Sequence, residues 1–321
     1  MELFVQLICL VAGLGLILFG ANWLVEGSTS IARKTGLSEF IIGLTIVGIG
    51  TSAPEMVVSF ISAFQGKSEM AIGNIVGSNI FNVLMILGIT ALISPLVITR
   101  QNRKRDIPLN IGVTLLLLIL GMKHTLFGIG FDEISRWDGA LMLAIFAFYM
   151  WKSFTRGADE NPAEEGEIKT LSTGLAITFI GVGLLALVGG GRLFVNSATA
   201  VAQYFNLSEK FIAITIMSAG TSLPELATCV VAAQKGRGQM ALGNILGSNI
   251  SNVLMILGGS ALIHPLSFAG ITFVDMGVVL TSALLLMLTA YTFKKDKLDR
   301  TEGAIFIIIE IGYMVWLMIN A

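Results

Sequence analysis

Apolar residues run along this chain in long blocks, not in the short alternations of strands. Blocks bounded by charged or Pro-bearing connections lie near 3–26, 39–64, 70–95, 106–122, 136–154, 171–200, 209–233, 240–265, 271–292 and 302–320. A helix of about 20 residues crosses the roughly 30 Å hydrocarbon core of a bilayer, and most of these blocks reach that length. A membrane barrel needs alternating strands of about ten residues, and no such alternation appears. The pattern predicts an all-α polytopic membrane protein with ten transmembrane helices. The first block has no basic leader region and is too long for a signal-peptide core, so it reads as a span.

Composition agrees with the pattern. Hydrophobic residues make up 55% of the 321 and charged residues 13%, against about 25% charged in soluble domains. The net charge of −1 and the lack of a basic domain argue against nucleic acid as a partner. The lipid bilayer is the partner expected, with no obligatory protein partner and no cofactor. Cys9 and Cys229 fall in apolar blocks and read as small packing residues, not a disulfide. His124 and His264 sit near block ends and read as structural.

Charge changes the picture most through its placement. Numbering the connections by the blocks they join, the odd ones hold fifteen Lys and Arg and the even ones four: Lys67, Lys123, Arg136 and Lys210. Arg192 falls within the sixth block and is set aside. Basic loops stay cytoplasmic, so the odd loops are expected inside and both termini outside. The most polar connection, RGADENPAEEGEIK at 156–169, is then a solvated cytoplasmic linker.

A repeat organises the whole chain. Residues 50–88 and 220–258 match without a gap at 23 of 39 positions, at a constant offset of 170. Leu37-Ser38-Glu39 aligns likewise with Leu207-Ser208-Glu209. Each half therefore carries five blocks, 1–155 and 171–321, around the linker 156–170. Five is odd, so the second copy enters the membrane inverted. Inverted repeats are the build of secondary transporters, which bind substrate near the midplane on interrupted helices.

The repeated stretch holds the chemistry. GIGTSAPEMVVS at 48–59 and SAGTSLPELATC at 218–229 put Gly, Pro and Glu inside apolar blocks. Pro54 has no N–H, so the Gly50 carbonyl four residues back loses its helical partner. The same logic applies around Pro224, Gly220 and the carbonyl of Ser218. Freed carbonyls at membrane depth must face protein, water or a cation. Ser52-x-x-Glu55 and Ser222-x-x-Glu225 also fit a capping box, in which each Glu merely closes a restarted helix. A cap does not explain a helix broken twice in mid-membrane, and an intramembrane carboxylate is by default a functional group.

Asn74, Ser78 and Asn82 follow at i, i+4 and i+8 and share one helix face, copied as Asn244, Ser248 and Asn252. Gly73-x-x-x-Gly77 and Gly243-x-x-x-Gly247 offer smooth ridges for close packing. The blander reading of the Asn and Ser residues is interhelical glue. With Glu55 and Glu225, the amides of Asn82 and Asn252 and the hydroxyls of Thr51, Ser52, Thr221, Ser222, Ser78 and Ser248 make a donor set of oxygen alone. Such a set suits a hard cation, Ca²⁺ first, and two carboxylates match its charge. Without that ion two close carboxylates repel, and protons or Na⁺ are expected to replace it.

GTSAPE with GNIVGSNIFN, and GTSLPE with GNILGSNISN, resemble the two repeat motifs of the Ca²⁺/cation antiporter superfamily, closest to its sodium/calcium exchanger branch. The motif segments 48–88 and 218–258 carry the resemblance, and the ten-block layout extends it to the whole chain. It implies the sodium/calcium exchanger fold and a Ca²⁺/Na⁺ antiporter, not an enzyme, in the cytoplasmic membrane of a prokaryote. Glu55 and Glu225 would be ligands shared by Ca²⁺ and Na⁺. Thr51, Ser52, Thr221, Ser222, Ser78 and Ser248 would add oxygens, and the carbonyls of Gly48 and Ser218 would complete the outer sites. The first and sixth helices would slide against the core to alternate access. Many relatives have Asp where this chain has Asn82 or Asn252, so one titratable group is missing here. Rival expectations are H⁺/Ca²⁺ or other cation exchange on the same fold, a cation channel, and an intramembrane enzyme, which lacks an H-E-x-x-H motif or an obvious nucleophile.

Overall fold

The computed structural model describes residues 2–156, 171–205, 218–292 and 296–320. Helix occupies each of the ten predicted blocks. In order these are α1 (Glu2–Thr35), the bent pair α2 (Glu39–Thr51) and α3 (Ala53–Phe64), α4 (Ser68–Ile93), α5 (Ile107–Gly121) and α6 (Arg136–Arg156). The second half has α7 (Thr173–Tyr204), α8 (Ser218–Thr221), α9 (Leu223–Gln234), α10 (Gly238–Ile263), α11 (Phe273–Thr289) and α12 (Arg300–Asn320). The upstream part of the seventh block, with Leu207-Ser208-Glu209 and Lys210, lies outside the described residues, as do Lys294, Lys295 and the linker beyond Arg156. Among the described residues, α1, α4, α7, α10 and α12 are each long and apolar enough to cross a bilayer, and the pair α2–α3 forms a sixth such span, bent by 47°. Helices α5, α9 and α11 are shorter, at 15, 12 and 17 residues.

Which helices are central follows from where apolar surface goes. In α4 and α10, 78% and 83% of the most apolar window is buried inside the protein, against 17% in α1, 28% in α7 and 22% in α12. The outer three expose Phe4, Phe19, Leu185 and Ile308. Such faces are stable where lipid replaces water. The inner pair instead surrounds its polar residues with protein, and Asn79, Asn82, Asn249 and Asn252 are all buried.

The two halves are related by an approximate two-fold exchange that shows in the backbone. Short strand β1 (Leu96–Val97) pairs with β4 (Lys297–Leu298), Leu96 opposite Leu298. Strand β2 (Glu133–Ile134) pairs with β3 (Leu266–Ser267), Ile134 opposite Leu266. Leu96 and Leu266 are repeat mates, so the third block of each half runs into a strand that pairs with one from the other half. Helices α1 and α7 pack along one another through glycine. A Cβ on Gly20 would lie 2.8 Å from the Gly183 carbonyl, and one on Gly190 2.9 Å from the Gly13 carbonyl. The second small-residue ridge is used in the same way: Cβ atoms on Gly243 and Gly247 would strike the carbonyls of Phe40 and Leu44 at 2.3 and 2.1 Å. The residues that repeat Phe40 and Leu44 in the second half fall within 206–217, outside the described residues.

On the face formed by the odd loops, ion pairs tie the halves together. Arg237 Nη1 meets Glu39 Oε1 at 2.6 Å, Lys235 Nζ meets Glu26 Oε1 at 2.8 Å, and Arg103 pairs with Asp296. Cys9 and Cys229 are both free. His124 and His264 are exposed at the ends of their segments.

Candidate ion-binding site

The break between α2 and α3 falls at Ser52, which has φ −76° and ψ 10°. Its N–H donates to the Gly48 carbonyl at 3.2 Å and its own carbonyl accepts from Met56 N at 3.0 Å. Pro54 then sits in the first turn of α3, where a missing N–H costs nothing. Ser222 repeats this geometry before α9, at φ −91° and ψ 8°.

The expected capping boxes do not form. Neither Ser52 nor Ser222 makes a side-chain cap bond. A capping serine needs extended backbone, as at Ser38, where ψ is 152° and the hydroxyl accepts from Ile41 N. With ψ near 10°, the two hydroxyls turn away from their own helices and cross to the opposite half. Ser52 Oγ donates to Glu225 Oε1 at 3.0 Å, and Ser222 Oγ donates to Glu55 Oε1 at 3.1 Å. Each acid is thus held by the serine of the other repeat.

The surrounding groups extend this cross-linked centre. Ser78 Oγ donates to Glu55 Oε1 at 3.4 Å. Thr51 Oγ1 reaches Asn244 Oδ1 at 3.2 Å, and Ser248 Oγ donates to the Gly48 carbonyl at 3.1 Å. Thr221 is half-buried at the end of α8, and Ser218 opens that helix. Asn74 turns its amide to the Glu55 carbonyl and to Ser59 Oγ, so it braces α3 against α4. Its repeat mate Asn244 donates to Cys229 Sγ instead, because Cys229 stands where the first half has Ser59.

Asn82 and Asn252 each open a π-helical turn, Asn82–Ile86 and Asn252–Leu257. Such turns widen the helix and cluster at functional sites. Asn82 Nδ2 donates to Asn249 Oδ1 at 2.9 Å, and Asn252 Nδ2 to Asn79 Oδ1 at 3.0 Å. Asn79 and Asn249 were not singled out from the sequence. Their signal was available, since each sits in a GSN triplet of the doubled motif. A further buried acid, Glu310 of α12, lies outside that motif and has no counterpart in the first half, where Phe146 is its mate by the offset relating Gly139 to Gly303.

Four acceptor oxygens here are buried without any hydrogen-bond donor: Glu55 Oε2, Glu225 Oε2, Asn82 Oδ1 and Asn252 Oδ1. They come as two repeat-mate pairs. An unsatisfied buried acceptor costs about 1–3 kcal/mol, and more when charged. Acceptors without donors are complemented by cations. Among the described residues no group of three or more His, Cys, Asp or Glu is placed so that it could hold a metal ion. The chemistry is that of two carboxylates set among neutral oxygens, which suits Ca²⁺ or Na⁺ and not zinc or copper.

Comparison with known proteins gives a consistent picture. The sodium/calcium exchanger protein family matches residues 5–155 and 175–319. The sodium/calcium exchanger MaX1 of Methanosarcina acetivorans is 32% identical over 344 residues, covering 97% of this chain and 98% of that protein. The inner membrane protein YrbG of Escherichia coli is 32% identical over 320 residues, covering 96% and 94%. The solved structure of the sodium-calcium exchanger NCX_Mj soaked with zero Na⁺ and Ca²⁺ superposes with a TM-score of 0.84 at 31% identity, covering 98% of this chain and 99% of that one.

Proposed function

The chain belongs to the sodium/calcium exchanger family, and from that membership we propose that it is a secondary antiporter exchanging Ca²⁺ for Na⁺ across a membrane. Glu55 and Glu225 are the shared carboxylate ligands. The carbonyls of Asn82 and Asn252, the hydroxyls of Thr51, Ser52, Thr221, Ser222, Ser78 and Ser248, and the backbone oxygens of Gly48 and Ser218 complete overlapping Ca²⁺ and Na⁺ sites. The observation that carries this reading is the set of four buried oxygens without donors, two from each half.

Exchange follows from charge. Two carboxylates deep in a low-dielectric interior are costly unless a cation or protons balance them. One Ca²⁺ balances both, and Na⁺ ions do so in its place. The balanced centre can be carried between the two faces, whereas the bare one cannot, and this links the two fluxes. Glu55 and Glu225 are 1% and 0% exposed, so neither face reaches them without a rearrangement. Movement of α1 and α7 against the core supplies it in this reading. The two five-block halves, 1–155 and 171–321, are the inverted repeats, with the odd loops and the 156–170 linker in the cytoplasm and both termini outside.

The test is ⁴⁵Ca²⁺ uptake into liposomes with the Na⁺, K⁺ and H⁺ gradients imposed separately. Uptake driven by an outward Na⁺ gradient is expected. Uptake driven by a pH gradient alone, with no response to Na⁺, would assign proton exchange instead. Currents at channel rates would assign a pore.

A further inference from the structure

Asn79 and Asn249 touch no carboxylate and extend the centre by one layer. Each is buried, at 2% and 3% exposure. Asn79 Nδ2 donates to the backbone carbonyl of Asn249 at 3.2 Å, and Asn249 Nδ2 donates to the backbone carbonyl of Asn79 at 3.3 Å. A backbone carbonyl only accepts, so in both residues the NH₂ group must face it. The amide oxygen of each is then turned the other way. Asn79 Oδ1 meets the Asn252 amide at 3.0 Å, and Asn249 Oδ1 meets the Asn82 amide at 2.9 Å. An acceptor at that place requires the NH₂ of Asn252 and of Asn82, so their own oxygens point elsewhere. Those two oxygens are the amide members of the donorless set.

We propose that Asn79 and Asn249 are positioning residues that lock the flip state of the Asn252 and Asn82 amides across the two-fold, so that both present oxygen, never NH₂, to the transported cation. This rests on the reading of the centre as a Ca²⁺ and Na⁺ site. Without the lock, each ligand amide can turn its NH₂ inward, where the partial positive charge opposes a cation. The orientation is set from outside the ion's own contacts, as a supporting hydrogen bond sets a metal-ligating histidine. The pairing is crossed: Asn79 governs Asn252 and Asn249 governs Asn82.

The crossed pairing makes the test specific. Equilibrium ⁴⁵Ca²⁺ binding is measured on the purified full chain in detergent, with thermal unfolding as the check of folding. Asn79→Ala is expected to weaken Ca²⁺ binding by roughly 10–100-fold. In an Asn252→Ala background it should cost nothing further, because the amide it orients is gone. In an Asn82→Ala background it should cost its full factor. Asn249→Ala should show the reverse pattern. A residue that acts only through general packing would lose the same factor in both backgrounds, and that result overturns the proposal. So does a silent Asn79→Ala, or silence of both Asn82→Ala and Asn252→Ala. Asn79→Ser, which keeps a polar group against the Asn249 carbonyl, replaces the alanine variant where that one does not fold. Glu55→Gln is run alongside: loss of binding there with silent amide variants removes only this proposal, whereas intact binding in Glu55→Gln removes the ion site itself.

Discussion

Glu55 and Glu225 each spend one carboxylate oxygen on a serine of the opposite half and keep the other free of donors. Glu55→Gln and Glu225→Gln remove half of the site's charge and replace an acceptor with NH₂. Each is expected to weaken Ca²⁺ binding by more than the roughly 10–100-fold typical of losing a supporting partner, and to abolish uptake while the unfolding temperature holds. Asn82→Asp makes a different case. Asn82 donates to Asn249 Oδ1, which offers no proton in return. An Asp there keeps that bond only when protonated, so the pH dependence of Ca²⁺ uptake should shift; an identical pH profile would place residue 82 outside the centre. Both acids were legible in the sequence because a carboxylate inside an apolar block is conspicuous and this one occurs twice. The serine exchange was not. Three-residue spacing reads as a local cap, and only the ψ angle at Ser52 and Ser222 decides that the hydroxyl leaves its own helix. Asn79 and Asn249 were hidden for a related reason: they lie one position off the i, i+4 stripe of Asn74, Ser78 and Asn82, on a face whose role appears only when the two halves meet.

At the scale of elements, close approach of α10 to α2 depends on missing side chains. A Cβ on Gly247 would stand 2.1 Å from the Leu44 carbonyl, a backbone atom that cannot swing aside. Gly247→Ala is expected to destabilise the protein by about 1–3 kcal/mol, seen as a lower unfolding temperature in detergent. Gly181→Ala is the control, since a Cβ there meets nothing within 4 Å, and it should leave that temperature unchanged or raise it slightly. The ten helical blocks were readable because membrane spans must be long, apolar and internally hydrogen-bonded. The second G-x-x-x-G ridge, Gly243 and Gly247, was readable as a close-packing surface too, whereas a Cβ at Gly73 or Gly77 meets nothing within 4 Å among the described residues. The partner of the second ridge was not readable, because the pattern in one helix does not name the helix that lies on it. The π-helical turns at Asn82 and Asn252 were equally invisible, since no residue type demands one. The paired strands at the block ends are two residues long and too short for any periodicity to show.

For the whole molecule, the two-fold exchange implies matched responses. Ser52→Ala and Ser222→Ala remove equivalent bonds to equivalent acids, so they should weaken Ca²⁺ binding by the same factor, about tenfold or more for a hydrogen bond to a charged group. Unequal losses would mean that the halves carry unequal shares of the ion. The symmetry is not complete, however. Glu26 on α1 meets Lys235 in the turn between α9 and α10. The positions related to them by the repeat are Asn196 and Gln65, neither of which carries charge. A surface pair of this kind contributes at most about 1 kcal/mol, which is roughly a fivefold preference. In the alternating-access reading proposed above, the two orientations are related by the same two-fold exchange, and so small a bias would favour the one that keeps this pair. Lys235→Gln should erase that preference, and a cross-linker joining cysteines introduced at 26 and 235 should arrest transport until it is cleaved. Because mobile ions weaken an exposed pair, in that reading the salinity of the medium on that one side would act as a dial on which door stands open at rest.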